Sequence, residues 1–371
     1  MIVGLVREIK DQEFRTGMAP QTVHAYVAHQ HQVLVETGAG LGSGFSDEEY
    51  VEAGATIVQD AADVWRQADM IVKVKEPLES EYKYLREGLI LFTYLHLAAN
   101  RELTDELLAR KVKAVAYETI TSSSNGLPCL QPMSEIAGRL SVQEGAKYLE
   151  KHFGGRGILL SGVPGVEKAH IVIIGGGTVG INACKIAIGI GANVTVLDIS
   201  AERLTYFDDL FGARVNTLFS TKANIQQAIQ TADLVIGAVL LPGRATPKLV
   251  SHADIKTMKQ GAVLVDVAVD QGGCFETSQA TTHLEPVFIK EGIVHYCVSN
   301  MPGAVPRTAT IALTNSTLQF GLLMADHGLE KAVGLNKGLA NGVNCYAGKC
   351  THAGVAEAFG LECEPLENLL N

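Results

Sequence analysis

Residues 171–200, IVIIGGGTVGINACKIAIGIGANVTVLDIS, constrain the fold of this chain more than any other segment. Four β-branched residues run into Gly175, Gly177 and Gly180, and a small-residue-rich stretch of helical length follows. A second β-rich run then ends at an acid, Asp198. This order of strand, glycine turn, helix, strand and acid is typical of the dinucleotide-binding unit of a parallel α/β sheet.

Each part of this unit has a physical role in holding a dinucleotide. Gly175 makes the tight turn, Gly177 lets the backbone approach a pyrophosphate, and Gly180 lets helix and strand pack closely. The helix N-terminus, at Thr178 and Val179, offers unpaired N–H donors and a partial positive charge to phosphates. We therefore predict a nucleotide site here, and a purely structural glycine turn is the alternative.

The acid at the end of the second strand favours one cofactor. A carboxylate at Asp198 would accept hydrogen bonds from the adenosine ribose and would repel a 2′-phosphate, so the sequence predicts NAD rather than NADP. Arg203 could serve such a phosphate or stack on adenine, and the presence of Asp198 favours stacking.

Length, charge and cysteine usage narrow the class of protein. The 371 residues are enough for two cores. A formal net charge of -10 without a basic cluster argues against a nucleic-acid partner. The N-terminal strand pattern reaches Arg7 too soon for a signal peptide, and residues 89–99 are too short a lipid-like stretch to span a bilayer. With seven cysteines spread over the chain, we expect a reduced, cytoplasmic protein without a membrane partner.

One cysteine-rich stretch raises the question of a metal. Cys345, Cys350 and His352 lie close together in sequence and could be ligands. Their spacing matches no usual zinc pattern and no second Cys/His pair accompanies them. We therefore predict no metal site.

The first part of the chain alternates short apolar runs with amphipathic stretches. This alternation predicts a doubly wound, largely parallel sheet. It carries no glycine fingerprint, so no nucleotide site is expected there. The predicted strands are 2–6, 32–36, 56–58, 70–74, 89–93 and 113–116, and the predicted helices are 20–30, 47–53, 61–67, 81–86 and 101–110.

Three polar residues follow predicted strands of this first sheet. Arg15 lies after the first strand, Lys75 just past residues 70–74, and His96 just past residues 89–93. The carboxyl ends of parallel strands form a ligand-binding rim, so the three side chains should gather on one edge. Taken singly, Arg15 and Lys75 could be solvated loop charges and His96 a core histidine. The shared rim favours a functional role for the three together.

The second half of the chain repeats the α/β pattern. A long amphipathic helix is predicted at 130–152, and a strongly apolar strand at 262–268 leads to Asp270 on the rim of a second sheet. A helix at 308–327 should return the chain to the first domain. We therefore expect a discontinuous substrate domain, residues 1–130 plus 307–371, and an NAD-binding domain, residues 131–306. Substrate and cofactor would meet in a cleft between them. Further predicted helices are 201–211, 223–231, 256–259 and 355–359, and further predicted strands are 214–216, 233–238 and 293–298.

Long motifs along the whole chain resemble those of the alanine dehydrogenases. They are GLVREIKDQEFRTGMAP, VKVKEP, TYLHLAAN, PMSEIAGRLSVQEGAKYLE, LLSGVPGV, IIGGGTVG, DVAVDQGGCFETS and HYCVSNMPGAVPRT. The resemblance implies the reversible reaction in which L-alanine, NAD and water give pyruvate, ammonium and NADH. It also implies a homohexamer.

The resemblance also implies roles for individual positions. Arg15 and Lys75 match substrate-binding residues, and His96 and Asp270 match the catalytic pair. The positions that match cofactor contacts, beside the three glycines, are Ser134, Thr178, Val179, Asp198, Arg203, Ser220, Val239, Leu240, Val267, Ala268, Val269, Asp270, Val298, Ser299, Asn300 and Met301.

The chemistry of a keto acid explains why these residue types are needed. Arg15 could bind the pyruvate carboxylate as a planar fork. Lys75 and His96 could stabilise or protonate the atom attached to C2, and Asp270 could act as base for the attacking water.

Two alternatives from other functional classes remain at this point. One is the nucleotide-binding subunit of a transhydrogenase, which would need no keto-acid pocket. The other is a non-catalytic NAD-binding or scaffold protein. The polar residues of the first rim, Arg15, Lys75 and His96, argue against both.

Overall fold

A computed structural model of the protein describes residues 1–124, 126–239 and 246–370. The chain divides into two compact units. Unit 1 comprises Met1–Met133 and Val305–Asn371, and unit 2 comprises Ser134–Ala304.

The N-terminal segment of unit 1 forms six parallel strands with helices between them. Short runs of Val, Ile and Leu form these strands because both faces of a parallel sheet are covered. Pro20 begins the first helix, and Ser46 caps the second in a capping box with Glu49. The strands are β1 (Ile2–Leu5), β2 (Gln32–Glu36), β3 (Thr56–Val58), β4 (Met70–Val72), β5 (Ile90–Thr93) and β6 (Lys113–Ala116); the helices are α1 (Pro20–Ala28), α2 (Asp47–Glu52), α3 (Ala61–Gln67), α4 (Glu79–Tyr82) and α5 (Arg101–Ala109).

Unit 2 is a second α/β sheet, in which six strands are parallel and β12 lies antiparallel on one edge. Its strands are β7 (His170–Ile174), β8 (Asn193–Asp198), β9 (Val215–Phe219), β10 (Leu234–Gly237), β11 (Val263–Asp266), β12 (Val287–Lys290) and β13 (Ile293–Tyr296). Its helices are α6 (Gln131–Tyr148), whose first turn belongs to unit 1, α7 (Thr178–Ile190), α8 (Ala201–Phe211), α9 (Lys222–Thr231) and α10 (His252–Ile255).

The C-terminal segment completes unit 1. It contributes α11 (Pro306–His327), α12 (Leu329–Leu335), α13 (Lys337–Gly342), β14 (Val343–Tyr346), β15 (Lys349–Cys350), α14 (Ala353–Phe359) and α15 (Leu366–Leu369). Strand β14 pairs antiparallel with β6, and β15 pairs antiparallel with β14.

The strand orders confirm the expected fold class of two doubly wound α/β sheets. The order in unit 1 is β15-β14-β6-β5-β4-β1-β2-β3, and in unit 2 it is β12-β13-β11-β10-β7-β8-β9. In both sheets the parallel strands follow the 3-2-1-4-5-6 order of the nucleotide-binding folds. The point where the strand order reverses lies at β1 in unit 1 and at β7 in unit 2.

Several sequence predictions of local structure were wrong. The helix predicted at 256–259 lies earlier, as α10, because Ser251 and Asp254 form a capping box that starts the helix at His252. The antiparallel strand β12, helices α12 and α13, and the hairpin β14–β15 were missed. The hairpin turn has positive φ at Ala347 (50°) and Gly348 (79°), and the alanine replaces the Asn or Asp that usually marks such a turn.

Within the part of the chain that the structure describes, each helix is too short or too polar to cross a bilayer.

A buried lysine beside β4 holds the first sheet to its surrounding loops. Lys73 is 0% exposed, and its Nζ lies 3.3 Å from Glu8 Oε2 and 3.1 Å from Glu81 Oε1. Burial alone would lower the pKa of Lys73, but the two carboxylates raise it above its ordinary value. Lys73 is therefore a buried cation between two acids.

We predict that Lys73→Met destabilises the protein by about 3–5 kcal/mol, because it leaves two buried carboxylates without their cation. The free energy of unfolding in urea measures this loss. Lys111→Met is the matched control, because Lys111 forms an exposed pair with Glu87 at 3.2 Å, and it should leave the unfolding midpoint almost unchanged. Equal midpoints for Lys73→Met and wild type would contradict the interpretation.

Candidate functional site

The carboxyl ends of three neighbouring strands in unit 1 carry the three rim residues. Arg15 lies in the loop after β1, Lys75 lies three residues past β4, and His96 lies three residues past β5. Strands β5, β4 and β1 are adjacent in the sheet. The structure therefore places all three on one rim of unit 1.

Arg15 is buried, and its guanidinium is held by a neighbouring acid. The residue is 3% exposed, Nε donates to Glu13 Oε1 at 2.7 Å, and Nη2 donates to Glu13 Oε2 at 2.5 Å. Nη1 lies 3.2 Å from Met133 Sδ. The sequence suggested that a planar fork of Arg15 binds a substrate carboxylate; in this structure its Nε–Nη2 edge binds Glu13.

Lys75 is half-buried between charged neighbours. Burial and the positive charge of Arg15 lower the pKa of its ammonium, while Glu13 and Glu76 oppose that shift. Its backbone N–H donates to Glu8 Oε1 at 3.4 Å, and its carbonyl accepts from Thr93 Oγ1 at 3.0 Å. Across the described residues, Lys75 Nζ makes no hydrogen bond or ion pair. The ammonium is therefore available to an anionic or carbonyl ligand.

His96 has an unusual backbone conformation. Its φ and ψ are 49° and 36°, in the left-handed region that a histidine seldom adopts. Glu118 holds this turn, because its Oε1 accepts from His96 N at 2.6 Å and from Leu95 N at 3.1 Å. The His96 ring stacks near Tyr94, with 5.9 Å between centroids, and its side chain is 49% exposed. Backbone strain at a site residue is typical of a functional constraint.

A second acid, Glu76, lies beside the imidazole. Glu76 Oε2 is 3.6 Å from His96 Nδ1, and Glu76 also forms an ion pair with Lys10. Sequence analysis missed both Glu76 and Glu118. Glu76 stands between Lys75 and Pro77 and resembles a turn residue, and Glu118 is 22 positions away from His96.

The glycine loop of unit 2 has the shape of a phosphate cradle. A Cβ at Gly180 would lie 1.9 Å from Gly175 O, so only glycine allows α7 to pack this closely on the turn after β7. A Cβ at Gly177 would meet no atom within 4 Å, so the space in front of the loop is open. In the described structure no side chain caps α7, which begins at Thr178. These N–H groups fit a bound phosphate.

Asp198 lies at the end of β8 beside this loop. Its Oδ2 accepts from Gly176 N at 2.6 Å, and its Oδ1 accepts from Ser200 N at 2.8 Å. A carboxylate has about four acceptor positions, so both oxygens keep capacity for ribose hydroxyls.

Arg203 holds the glycine loop directly. Its Nε and Nη2 donate to Gly176 O at 2.9 and 2.6 Å, and its guanidinium lies 4.8 Å from the Tyr206 ring centroid. From the sequence, adenine stacking and phosphate binding were the two roles considered for Arg203. The structure adds a third, which is to hold the glycine loop through Gly176 O.

Most of the remaining positions that match cofactor contacts follow parallel strands of unit 2. Ser220 follows β9, and its N–H donates to Asp198 O at 2.9 Å. Ser134 lies in α6, one turn before Gly138, where a Cβ would be 2.2 Å from Val179 O in the first turn of α7. Leu240 lies outside the described residues. Val239 follows β10; Val267, Ala268, Val269 and Asp270 follow β11; Val298, Ser299, Asn300 and Met301 follow β13.

Asp270 is exposed on a short 3₁₀ turn, Val269–Gln271, past β11. Asn300 N donates to its Oδ2 at 3.4 Å. The loop is anchored by the buried Asp266, which accepts from Ala268 N at 3.1 Å and from Cys274 N at 3.0 Å. Sequence analysis missed Asp266, which lies inside the apolar strand run.

The cysteines that sequence analysis considered as ligands lie in the terminal hairpin. Cys345 and Cys350 are buried partners across β14 and β15. In residues 1–124, 126–239 and 246–370, no group of three or more His, Cys, Asp or Glu side chains could hold a metal ion.

Two family models together match nearly the whole chain. The family model described as "Alanine dehydrogenase/PNT, N-terminal domain" matches residues 4–137, and "Alanine dehydrogenase/PNT, C-terminal domain" matches residues 141–353. The chain belongs to the alanine dehydrogenase/PNT family. This membership confirms the resemblance inferred from the long sequence motifs.

Individual members of the family match along their full length. An alanine dehydrogenase of Staphylococcus haemolyticus is 55% identical over 371 residues, covering 100% of this chain and 99% of the relative. Alanine dehydrogenase 2 of Staphylococcus aureus strain MRSA252 is 55% identical over 372 residues, covering 100% of both chains.

Two solved structures have the same fold as this chain. An L-alanine dehydrogenase superposes with a TM-score of 0.95 at 52% identity, covering 97% of this chain and 99% of the other. A transhydrogenase from Sinorhizobium meliloti superposes with a TM-score of 0.83 at 24% identity, covering 95% and 99% of the two chains. The second similarity supports the fold alone.

Proposed function

We propose that this chain is an alanine dehydrogenase, which converts L-alanine, NAD and water reversibly to pyruvate, ammonium and NADH. The observation that carries the proposal is the 55% identity to alanine dehydrogenases over the full length of the chain. The rim of unit 1, with a buried guanidinium, an available ammonium and an imidazole, suits a small keto acid.

The two units supply different parts of the reaction in this proposal. Residues 1–130 plus 307–371 form the substrate domain, and residues 131–306 form the NAD-binding domain. The family resemblance further supports a homohexamer, and the seven cysteines spread over the chain favour a reduced, cytoplasmic setting.

The residues of unit 2 fit NAD. The open space at Gly177, the uncapped start of α7 and the carboxylate of Asp198 would hold the pyrophosphate and the adenosine ribose. Arg203 keeps the glycine loop in place through Gly176 O. When bound, NAD supplies the acceptor for the hydrogen that leaves C2 of alanine.

On the substrate side, Lys75 and Arg15 provide positive charge for the carboxylate and the C2 oxygen. Glu13 occupies the Nε–Nη2 edge of Arg15, so in this proposal the guanidinium contributes positive charge beside the substrate carboxylate. Lys75 Nζ would donate to the carbonyl oxygen of pyruvate. The lowered pKa of Lys75 makes its ammonium a better proton donor to that oxygen.

His96 and Asp270 carry the acid–base work. The imidazole of His96 exchanges a proton with the group attached to C2. Asp270 accepts a proton from the water that attacks C2, and Asn300 N–H orients its carboxylate. Each residue is exposed enough to reach a ligand.

The transhydrogenase alternative is less well supported. The transhydrogenase structure is only 24% identical to this chain. Hydride transfer between two nucleotides also does not require an ammonium such as that of Lys75 to bind a keto acid. Alanine-dependent formation of NADH by the wild-type protein distinguishes the two functions and excludes a non-catalytic scaffold.

We predict that His96→Ala and Asp270→Asn each lower the turnover of alanine at least ~10²-fold and keep the affinity for NAD, because each removes an acid–base group. Steady-state NADH absorbance and the binding of NAD, followed by fluorescence quenching, measure the two quantities. Near-normal turnover in either variant would refute the role assigned to that residue.

We predict that Asp198→Asn shifts the ratio of kcat/KM for NADP over NAD upward by about tenfold or more, because a neutral amide does not repel a 2′-phosphate. Asp209→Asn makes the same charge change on an exposed side chain of α8 and should leave the ratio unaltered. An unaltered ratio in Asp198→Asn would mean that this acid does not meet the ribose.

A further inference from the structure

Glu76 is a largely buried acid beside the imidazole of His96. Its side chain is 12% exposed, and its Oε2 is buried without a hydrogen-bond partner in the described structure. That same oxygen lies 3.6 Å from His96 Nδ1. A buried carboxylate oxygen is costly to leave unpaired, so a modest approach of the imidazole N–H would satisfy it.

Glu76 has little freedom to turn away from the ring. Its Oε1 is held by the ammonium of Lys10, and the next residue is Pro77, which restricts the backbone of Glu76. His96 is equally constrained, because Glu118 holds its N–H at 2.6 Å in the left-handed turn. Separate contacts therefore hold the two residues beside each other: Lys10 holds the Glu76 carboxylate, and Glu118 holds the His96 backbone.

The carboxyl group of Glu76 is ionised at neutral pH. Burial alone would raise its pKa, but the neighbouring imidazole of His96 and the ammonium of Lys10 lower it to about 2. An anion beside one ring nitrogen favours a proton on that nitrogen.

We propose that Glu76 is a positioning residue that keeps a proton on Nδ1 of His96, so that Nε2 is the atom that exchanges protons with the substrate. The inference rests on the proposed acid–base role of His96. In the direction of alanine oxidation, the lone pair of Nε2 accepts a proton from the group bound to C2, and Glu76 stabilises the resulting imidazolium. In the reverse direction, Nε2–H returns the proton.

Other charged and titratable groups around the ring come from separate elements. Lys75 lies on the loop after β4, Lys10 on the loop after β1, and Glu118 after β6, while Tyr94 stacks on the ring from the end of β5. Glu118 is engaged by two backbone N–H groups, and the Lys10 ammonium by Glu76. Glu76 is therefore the anion placed to act on Nδ1.

The direct test is long-range ¹H–¹⁵N NMR of protein labelled with ¹⁵N-histidine, with His96 assigned by the signal lost in His96→Ala. Wild type should show a neutral His96 protonated on Nδ1. In Glu76→Gln the anion is gone, so the imidazolium is less stable and the titration midpoint of His96 should fall below that of wild type. The acid limb of kcat/KM for alanine should move to lower pH by the same amount.

Glu76→Asp keeps the charge on a shorter side chain and should restore part of the shift, which also covers a failure of Glu76→Gln to fold. Glu291→Gln is the matched control, because it removes the acid from another Glu–His pair, with His252 at 2.7 Å, and it should leave the His96 midpoint unchanged.

A wild-type His96 protonated on Nε2, or an unshifted midpoint in both Glu76 variants, would overturn the inference. The NMR measurements need no turnover. Absence of alanine-dependent NADH formation in the wild type would therefore overturn the proposed function separately.

Discussion

Charge held out of water at the carboxyl rim of the unit 1 sheet is the constraint on which the candidate site depends. A buried charge is stable only beside an opposite charge or several hydrogen bonds. Arg15 therefore binds Glu13, and Lys73 binds Glu8 and Glu81.

Lys75 is the cation of this rim whose ammonium has no partner among the described residues. Its backbone is fixed by Glu8 and by Thr93, and Arg15 adds positive charge nearby. The ammonium of Lys75 therefore keeps its donor capacity for a ligand. An anionic substrate with a carbonyl group adjacent to its carboxylate would accept hydrogen bonds from this ammonium.

Much of the fold and part of the site could be predicted from the sequence. Short apolar runs predicted every parallel strand of both sheets, and the rule that strand ends share a rim placed Arg15, Lys75 and His96 together. The strand order that makes the rule apply is set by crossovers, and local sequence does not record it. The Ala347 turn and the capped start of α10 were missed because their local signals were weak or unusual.

The supporting acids could not be predicted for a different reason. Glu118 acts on the backbone of His96 across 22 positions, and Glu13 takes a fork of Arg15 that a sequence motif can equally assign to a substrate. Such contacts depend on loop conformations. The left-handed backbone of His96 is one such loop conformation. The turn that directs Gly176 O toward Arg203 is another.

The dependence of pyruvate affinity on pH, measured by calorimetry with saturating NADH, tests most directly whether the Lys75 ammonium binds the substrate. Burial and Arg15 lower the pKa of Lys75, so the affinity of wild type should fall as pH rises, at a pH below the ordinary lysine value of 10.5. In Lys75→Arg the cation does not lose its proton, so the fall should disappear. A wild-type affinity that stays constant up to pH 10.5, or a fall that persists in Lys75→Arg, would contradict the account.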